Sequence, residues 1–453
     1  MGLPGPSRLG LGFVTEKEGP GSLGLRGVPV WLHVLGCRSN LCEGDFLAGD
    51  LEARGALVRR EPEGARAAVL VSCSVTAEAD RKCRQLVRRA RRAVGEEGVV
   101  AVCGCWAQGV EAEAARELGV DLLVGNRRKS LLAEALDAAL RQGRAFCDLR
   151  ADLGADRSWE ELPMGAPRLH SRAFIKVQEG CDHFCTYCVI PFLRGRSVSR
   201  PLADVLAEVR RVSEGGCREA VLTGIHLGMY GRDRGSSLAE LVRAVSECGA
   251  LDRLRLGSLE PFSLDGALLD ALADSPIFCP HLHLPLQSGD DGVLSLMRRG
   301  YTADDFARVC ERACSRLGAD LHISSDVLVG FPGEDDAAFR GTTALMRRVG
   351  MGRVHVFPYS ERRGTLAASL PGRVEPSVRA ERAAEAAAVG MELLSRYARR
   401  FVGRTLEVLA EGDGAGYTPQ FLEAAWEGGA LPGRTVRVAV RFEEGGKLEG
   451  CLA

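Results

Sequence analysis

The chain is 453 residues long and 46% apolar, with 59 Lys and Arg against 60 Asp and Glu for a formal net charge of −1. That length predicts two or three domains of about 150 residues each, and the charge balance excludes a globally basic nucleic-acid binder while leaving room for a local basic patch. No run approaches ~20 consecutive apolar residues, which excludes a membrane-spanning helix; with sixteen cysteines and no visible secretory signal, the chain reads as a soluble cytoplasmic protein with reduced thiols available to metal.

Residues 1–27 are rich in glycine and proline and are expected to be a flexible extension. From 28 to 140, apolar runs end in VPVWLHVLGC (28–37), AAVLVSC (67–73) and VVAVCGC (99–105), with polar helical pattern between them. Continuous apolar runs bounded by turn residues suit parallel strands buried on both faces, and a repeat of roughly 35 residues is that of a βαβ unit. A small doubly wound α/β domain is expected. Each run ends on a cysteine, and open α/β sheets bind ligands beyond the carboxyl ends of their strands. Cys37, Cys73 and Cys105 are therefore expected to converge; the competing account is three ordinary core cysteines. Cys103 shares a side with Cys105 by strand parity, but Cys105 lies past the strand and is favoured.

In RKCRQLVRRARR (81–92), Arg81, Arg84, Arg88 and Arg92 recur at three- and four-residue steps and form one basic stripe, with Leu86, Ala90 and Ala93 on another face. Such a stripe suits a phosphate backbone. Only five of the basic residues are lysine, so arginine is common everywhere and a solvated helix face would look the same.

Residues 141–166 lose periodicity and read as a linker. Within 167–400, six strand candidates alternate with helical pattern: AFIKVQEG (173–180), EAVLTGIH (219–226), RLRLGSLE (253–260), HLHLPLQSG (281–289), LHISSDVLVGFPG (321–333) and RVHVFPYS (353–360). Six β/α units predict an incomplete version of the eight-fold barrel, with its chemistry at the strand C-termini. CDHFCTYC (181–188) follows the first of these strands. Cys181, Cys185 and Cys188 are soft ligands suited to iron–sulfur or zinc; they can hold three irons of a 4Fe–4S cube and leave the fourth open to a small amine and carboxylate. A structural zinc site would need a fourth ligand. The glycines in LTGIHLG (222–228) and VGFPGE (329–334) permit close backbone approach. Arg194 and Arg196 could reach a carboxylate or phosphate, or be ordinary loop arginines. Glu260 ends a strand facing the expected cavity. Residues 375–401 predict a long helix, and 401–453 a small all-β module that carries five basic and eight acidic residues, net −3.

CDHFCTYC, with Tyr187 before its last cysteine, resembles the radical S-adenosylmethionine (SAM) signature. With GC (36–37), SCSVT (72–76) and GCWAQ (104–108), the whole chain resembles the methylthiotransferases. The resemblance implies an N-terminal cluster domain, a radical SAM barrel and a C-terminal TRAM module. It implies a second 4Fe–4S cluster on Cys37, Cys73 and Cys105 whose open iron presents the inserted sulfur. It also implies SAM on the open iron of the first cluster, cleaved to a 5′-deoxyadenosyl radical, with Thr223, Gly224, Glu260 and Gly330 lining the SAM pocket. A reducing electron-donor protein and a sulfur source would be required.

TAEADRKCRQ (76–85), RLGSLEP (255–261), HLHLPLQSGDD and HVFPYSERRGT (355–365) resemble the branch acting on N6-threonylcarbamoyladenosine beside the anticodon of tRNA, at position 37, where a methylthio group is set on C2. GCRSNLCEGD departs from the usual GCKVNQYE, keeping Glu43 and placing Cys42 at the tyrosine position, and Ser72 replaces the usual asparagine. The alternatives are isopentenyladenosine in tRNA, an aspartate of a ribosomal protein, and a non-catalytic iron–sulfur RNA-binding factor. TRAM modules are usually RNA-binding, and here Phe401, Tyr417 or Phe421 could stack on bases.

Overall fold

The computed structural model describes residues 24–143, 145–154, 156–164, 171–412 and 414–453. Most of the expected N-terminal extension, residues 1–23, lies outside the described residues.

The first sheet has six parallel strands, β1 (Pro29–Val34), β2 (Leu57–Arg59), β3 (Ala67–Ser72), β4 (Val99–Gly104), β5 (Leu122–Val124) and β6 (Cys147–Asp148), in the order β2-β1-β3-β4-β5-β6. Helices cover both faces. Leu47 and Leu51 of α1 (Arg38–Ala53) pack on one side with Leu132 and Leu136; Val87 and Ala90 of α2 (Ala77–Val94) pack on the other with Trp31 and Trp106. The expected doubly wound domain is present. The buried face of α2 is Cys83, Val87, Ala90 and Val94, so Ala90 belongs to the expected apolar face while Leu86 and Ala93 flank it. The stretch read as a linker supplies β6, with Leu122 opposite Cys147; a two-residue strand is too short to show a period.

A second set of six parallel strands follows: β7 (Ala173–Lys176), β10 (Glu219–Thr223), β11 (Arg253–Leu256), β12 (His281–His283), β13 (His322–Val329) and β14 (Arg353–Pro358). β7, β10 and β11 form one half and β12, β13 and β14 the other, with the halves bridged between Ser258 and His283. This is the expected incomplete barrel. A short ribbon, β8 (Gln178–Glu179) against β9 (Val198–Ser199), closes the base of the cysteine-bearing loop. Alternation sets the two faces. Ile175, Leu222, Leu254, Leu282 and Ile323 join the core with the surrounding helices, whereas Lys176, Thr223, Arg255, His281, His283, Ser324 and Asp326 face inward. The lumen is thus polar, an outcome written in RLRL and HLHL.

The helix Pro376–Ala398 leads to a closed five-stranded barrel of β15 (Thr405–Gly412), β16 (Ala415–Tyr417), β17 (Glu423–Glu427), β18 (Thr435–Glu444) and β19 (Lys447–Leu452), ordered β15-β16-β17-β19-β18, which fits a TRAM-like module. Its 418–421 loop plugs one end of the larger barrel. The Arg255 guanidinium donates to the carbonyls of Thr418 (2.8 Å) and Pro419 (2.7 Å) and to Glu219 (2.7 Å), and His322 Nδ1 donates to the Gln420 carbonyl at 2.6 Å. Glu219 also faces Arg172 and Arg253.

Burial alone would raise the Glu219 carboxyl, but Arg255 and Arg172 outweigh it and hold it below its ordinary 4.5. A depressed carboxylate contributes stability that is full above 4.5 and is lost as pH falls below it. Glu219→Gln should destabilise the chain at neutral pH by about 3–5 kcal/mol, the cost of breaking a buried ion pair from one side. It should also flatten the acid limb of a thermal-denaturation profile measured against pH.

Candidate functional site

The registers of the first sheet bring its cysteines to one edge. Val34 lies opposite Val71, and Ser72 opposite Gly104, so the chain leaves β1, β3 and β4 at one level. The strand order reverses between β1 and β3, the switch point where open sheets bind ligands. Gly36 has φ +112°, and a Cβ there would lie 2.8 Å from Cys73 Cβ and 3.1 Å from Cys73 Sγ. Gly104 has φ +96°, with Ser72 O at 2.6 Å from a built Cβ. Only glycine lets these turns close on each other. Ser72 Oγ donates to the Cys103 carbonyl (2.5 Å) and accepts from Ala107 N (3.2 Å), and Asn40 Nδ2 donates to the carbonyls of Leu35 and Ser72.

Cys37 caps α1, and Cys105 opens α3 (Cys105–Gly109). Burial pushes the Cys73 thiol up to about 11, and the neighbouring Cys105 and Cys37 push the same way. Cys103 packs instead into the core beneath α1. The turn at Gly104 breaks the parity that would have given the two cysteines one side.

Arg194 departs from the sequence expectation. It is fully buried at the end of the five-residue helix Ile190–Arg194, so it does not face a substrate phosphate. Its guanidinium donates to Glu43 (2.8 Å), Glu179 (3.1 Å), Asn40 Oδ1 (2.6 Å) and Cys105 Sγ (3.1 Å). Lys176 Nζ bonds Glu43 (3.1 Å) and Glu179 (3.0 Å), and Lys129 lies 3.3 Å from Glu43. Burial alone would raise the Glu43 carboxyl, yet Arg194, Lys129 and Lys176 hold it well below the carboxylate range. Three cations against two carboxylates leave one positive charge beside Cys105. Burial still raises the Cys105 thiol, with Arg194 opposing it, and the positive charge favours an anionic group bound there.

The CDHFCTYC loop emerges at the barrel's carboxyl end. Arg299 Nη1 donates to Cys185 Sγ at 3.3 Å, pairs with Glu260 through Nη2, and donates to Tyr301 Oη at 3.0 Å. The His183 amide donates to Cys181 Sγ (3.4 Å), and His226 Nδ1 lies 3.6 Å from the same sulfur. Burial would raise the Cys185 thiol, but a hydrogen bond from His183 and the Arg299 charge hold it below its ordinary 9.0; burial pushes Cys181 up to about 11 and Cys188 up to about 12. Thr186 ties the loop to the Leu296 carbonyl (2.8 Å), Tyr187 sits edge-on to Phe331, and Phe184 is held at φ +47° with Arg196 over its ring at 4.6 Å. None of the sixteen cysteines is in a disulfide, and among the described residues no group of three His, Cys, Asp or Glu is set for a single metal ion. Soft thiol donors, Cys185 held below its ordinary value and a cation against each set fit an iron–sulfur cluster better than a hard cation.

The other candidates fall into two groups. Thr223 is buried at the end of β10, and Glu260 anchors Arg299. The space a Cβ would take at Gly224 is filled by Gln178 Oε1 (2.8 Å), and at Gly330 by Arg379 Cγ (2.1 Å), so packing accounts for both glycines. Arg196 is half-exposed and pairs with Asp182 at 3.2 Å. Arg81, Arg84, Arg88 and Arg92 are exposed on α2, with Arg81 bound to Glu78. Arg88, Arg89, Arg92 and Lys82 line a groove of about 520 Å³ that reaches Leu35, two residues before Cys37. Sequence reasoning missed Arg299 and His226, which lie far from the cysteine motif in the chain and carry no local signal. No helix among the described residues is long and apolar enough to cross a membrane.

Arg194→Met should leave Glu43 and Glu179 buried with fewer cations, loosening α1 from β7 by about 3–5 kcal/mol. Hydrogen exchange should quicken in α1 and β7 while the interior of β3 and β4 keeps its protection.

Residues 29–125 match the family described as Uncharacterized protein family UPF0004, and residues 175–346 match the Radical SAM superfamily. The chain is 34% identical to the threonylcarbamoyladenosine tRNA methylthiotransferase MtaB of Thermotoga maritima, over 92% of this chain and 95% of the relative. It is 33% identical to the protein of the same name from Bacillus subtilis, over 91% and 93%. It is also 36% identical to the tRNA-2-methylthio-N(6)-dimethylallyladenosine synthase of Syntrophotalea carbinolica, over 84% and 88%. Among solved structures, the radical S-adenosylmethionine methyltransferase TsrM of Kitasatospora setae shares the fold, with TM-score 0.55 at 16% identity over 76% of this chain and 74% of that one.

Proposed function

The chain belongs to the radical SAM methylthiotransferases that modify tRNA, and from that membership we propose that it places a methylthio group on C2 of N6-threonylcarbamoyladenosine at position 37. Membership implies SAM and a 4Fe–4S cluster; Cys181, Cys185 and Cys188 are the ligands we assign to that cluster, and Cys37, Cys73 and Cys105 those of a second.

The observation that carries this reading is Arg194. The helix beginning two residues after Cys188 ends on an arginine whose Nε touches Cys105 Sγ at 3.1 Å. The two thiol sets therefore share one short covalent and hydrogen-bonded connection, as a reaction that generates a radical at one set and delivers sulfur from the other requires. When bound, the cofactors supply reductive cleavage of SAM to a 5′-deoxyadenosyl radical, methyl transfer to sulfur, and an iron that carries the sulfur. The chain's own residues hold the two thiol sets in place. Arg299 and His183 favour the Cys185 thiolate, and Arg194 sets a positive charge against Cys105 that opposes the effect of its burial. An external reductant and a sulfur source complete the reaction.

The substrate branch is supported by the motifs quoted above and by coverage, since the MtaB relatives align over more of this chain than the dimethylallyladenosine synthases. Dimethylallyladenosine is the second reading, because those synthases match at 36% and 34% identity, against 34% and 33% for the MtaB relatives. The exposed Arg88 and Arg92 along the groove leading toward Cys37, with Arg84 exposed on the same helix, suit the phosphates of the tRNA.

Nucleoside mass spectrometry of tRNA from cells lacking the protein should show loss of the methylthio derivative of threonylcarbamoyladenosine. Loss of the dimethylallyl derivative alone would move the protein to the second reading. In reconstituted protein, Cys185→Ala should abolish formation of 5′-deoxyadenosine while keeping roughly half of the iron; complete loss of iron would overturn the assignment of two independent clusters. The double substitution Arg84→Ala and Arg88→Ala should reduce the salt slope of tRNA binding by ~0.7–0.9 for each phosphate left without its arginine.

A further inference from the structure

A cavity of about 190 Å³ lies where the first turn of α1, the inner face of the larger barrel and the loop after β16 meet. Arg38, Arg172, Arg255 and His281 line it, with Glu411 and Phe421. The three guanidiniums gather over the Phe421 ring, at 5.9 Å for Arg38, 5.1 Å for Arg172 and 4.8 Å for Arg255. Two of them are committed. Arg255 holds Glu219 and the carbonyls of Thr418 and Pro419, and Arg172 holds Glu411 and Glu219. Arg38 is half-buried and has no hydrogen bond or ion pair with any described residue. Asp326, the carboxylate whose charge reaches it, is taken by His283 Nε2 at 3.2 Å.

A guanidinium crowded by two others and without an acceptor of its own is stabilised when an anion arrives. We propose that Arg38 receives the carboxylate of the N6-threonylcarbamoyl group and so selects that nucleoside over its dimethylallyl counterpart; this rests on the substrate class proposed above. The planar guanidinium fork matches a carboxylate through two parallel charge-assisted hydrogen bonds. A dimethylallyl group offers no acceptor and would leave Arg38 unpaired, and a site built around a hydrogen bond rejects the analogue that lacks it. A void of ~150 Å³ takes up a molecule the size of benzene, so the cavity has room for the small amino-acid group. Arg38 follows Cys37 directly in the chain, so the cavity is lined from the same turn that carries one of the N-terminal thiols.

The test is fluorescence anisotropy with the reconstituted full chain and anticodon stem-loop RNAs carrying threonylcarbamoyladenosine, its methyl ester or unmodified adenosine at position 37. The native chain should bind the free acid ~10-fold or more tightly than the ester, the range of a hydrogen bond to a charged group. Arg38→Gln should bind acid and ester alike and keep the native affinity for the unmodified RNA. A native chain that does not distinguish acid from ester, or an R38Q variant that still does, overturns the proposal. Should R38Q lose affinity for every RNA, Arg38→Lys decides: discrimination kept at reduced strength supports the carboxylate site, and none overturns it. Methylthiolation is read on the same RNAs. Discrimination without product overturns the reaction proposed above and leaves the carboxylate site standing, and product without discrimination does the reverse.

Discussion

Where the two thiol sets stand relative to each other depends on one buried arrangement of charge. Glu43 of α1 and Glu179 of β8 are bridged by Arg194 and Lys176, with Lys129 behind Glu43. These groups come from the first sheet domain and from the barrel, and each is removed from water. In such surroundings any member left without its partners carries the full desolvation cost, so the domains are held in one mutual position. Arg194 then extends that position to Cys105. The rigidity of the site thus comes from electrostatics between domains, added to the packing of Cys42 against Phe174 and Val221.

A second constraint acts inside the barrel. Its six strands turn aliphatic side chains out to the helices and histidines, arginines and carboxylates in. His281 and His283 share Ser324 Oγ at 2.8 and 2.9 Å, and His283 continues to Asp326. Burial lowers His322 to about 4, so this ring remains neutral near neutral pH and its Nδ1 proton is free to hold the Gln420 carbonyl. The small C-terminal barrel contributes by its inserted loop, whose backbone carbonyls are met by Arg255 and His322. Glu411 and Glu407 of the module add ion pairs to Arg172 and Arg253, so an acidic module docks on an arginine-rich barrel end through both backbone oxygens and carboxylates.

Much of this was legible in the residues. Strand-terminal cysteines at 37, 73 and 105 and the 181–188 loop marked both thiol sets, because strand ends and turn glycines are local features. The periods of the apolar runs gave the two parallel architectures. Other features were not legible. Arg194 looked like one more loop arginine in an arginine-rich chain, and its burial follows from partners 151 residues away in Glu43 and 89 away in Cys105. Gly224 and Gly330 looked like openings for a ligand, but the space beside each is occupied by Gln178 and Arg379.

By itself, then, the sequence determined the elements, the thiols and the family, since these rest on spacing and on hydrophobic period within a few dozen residues. The tertiary structure decided which charges are buried, which of the three arginines over Phe421 is unpaired among the described residues, and how the thiol sets are joined. Burial and pairing depend on segments that meet only when the chain is folded, and no local pattern records which of many arginines will meet a glutamate, a sulfur or an empty cavity.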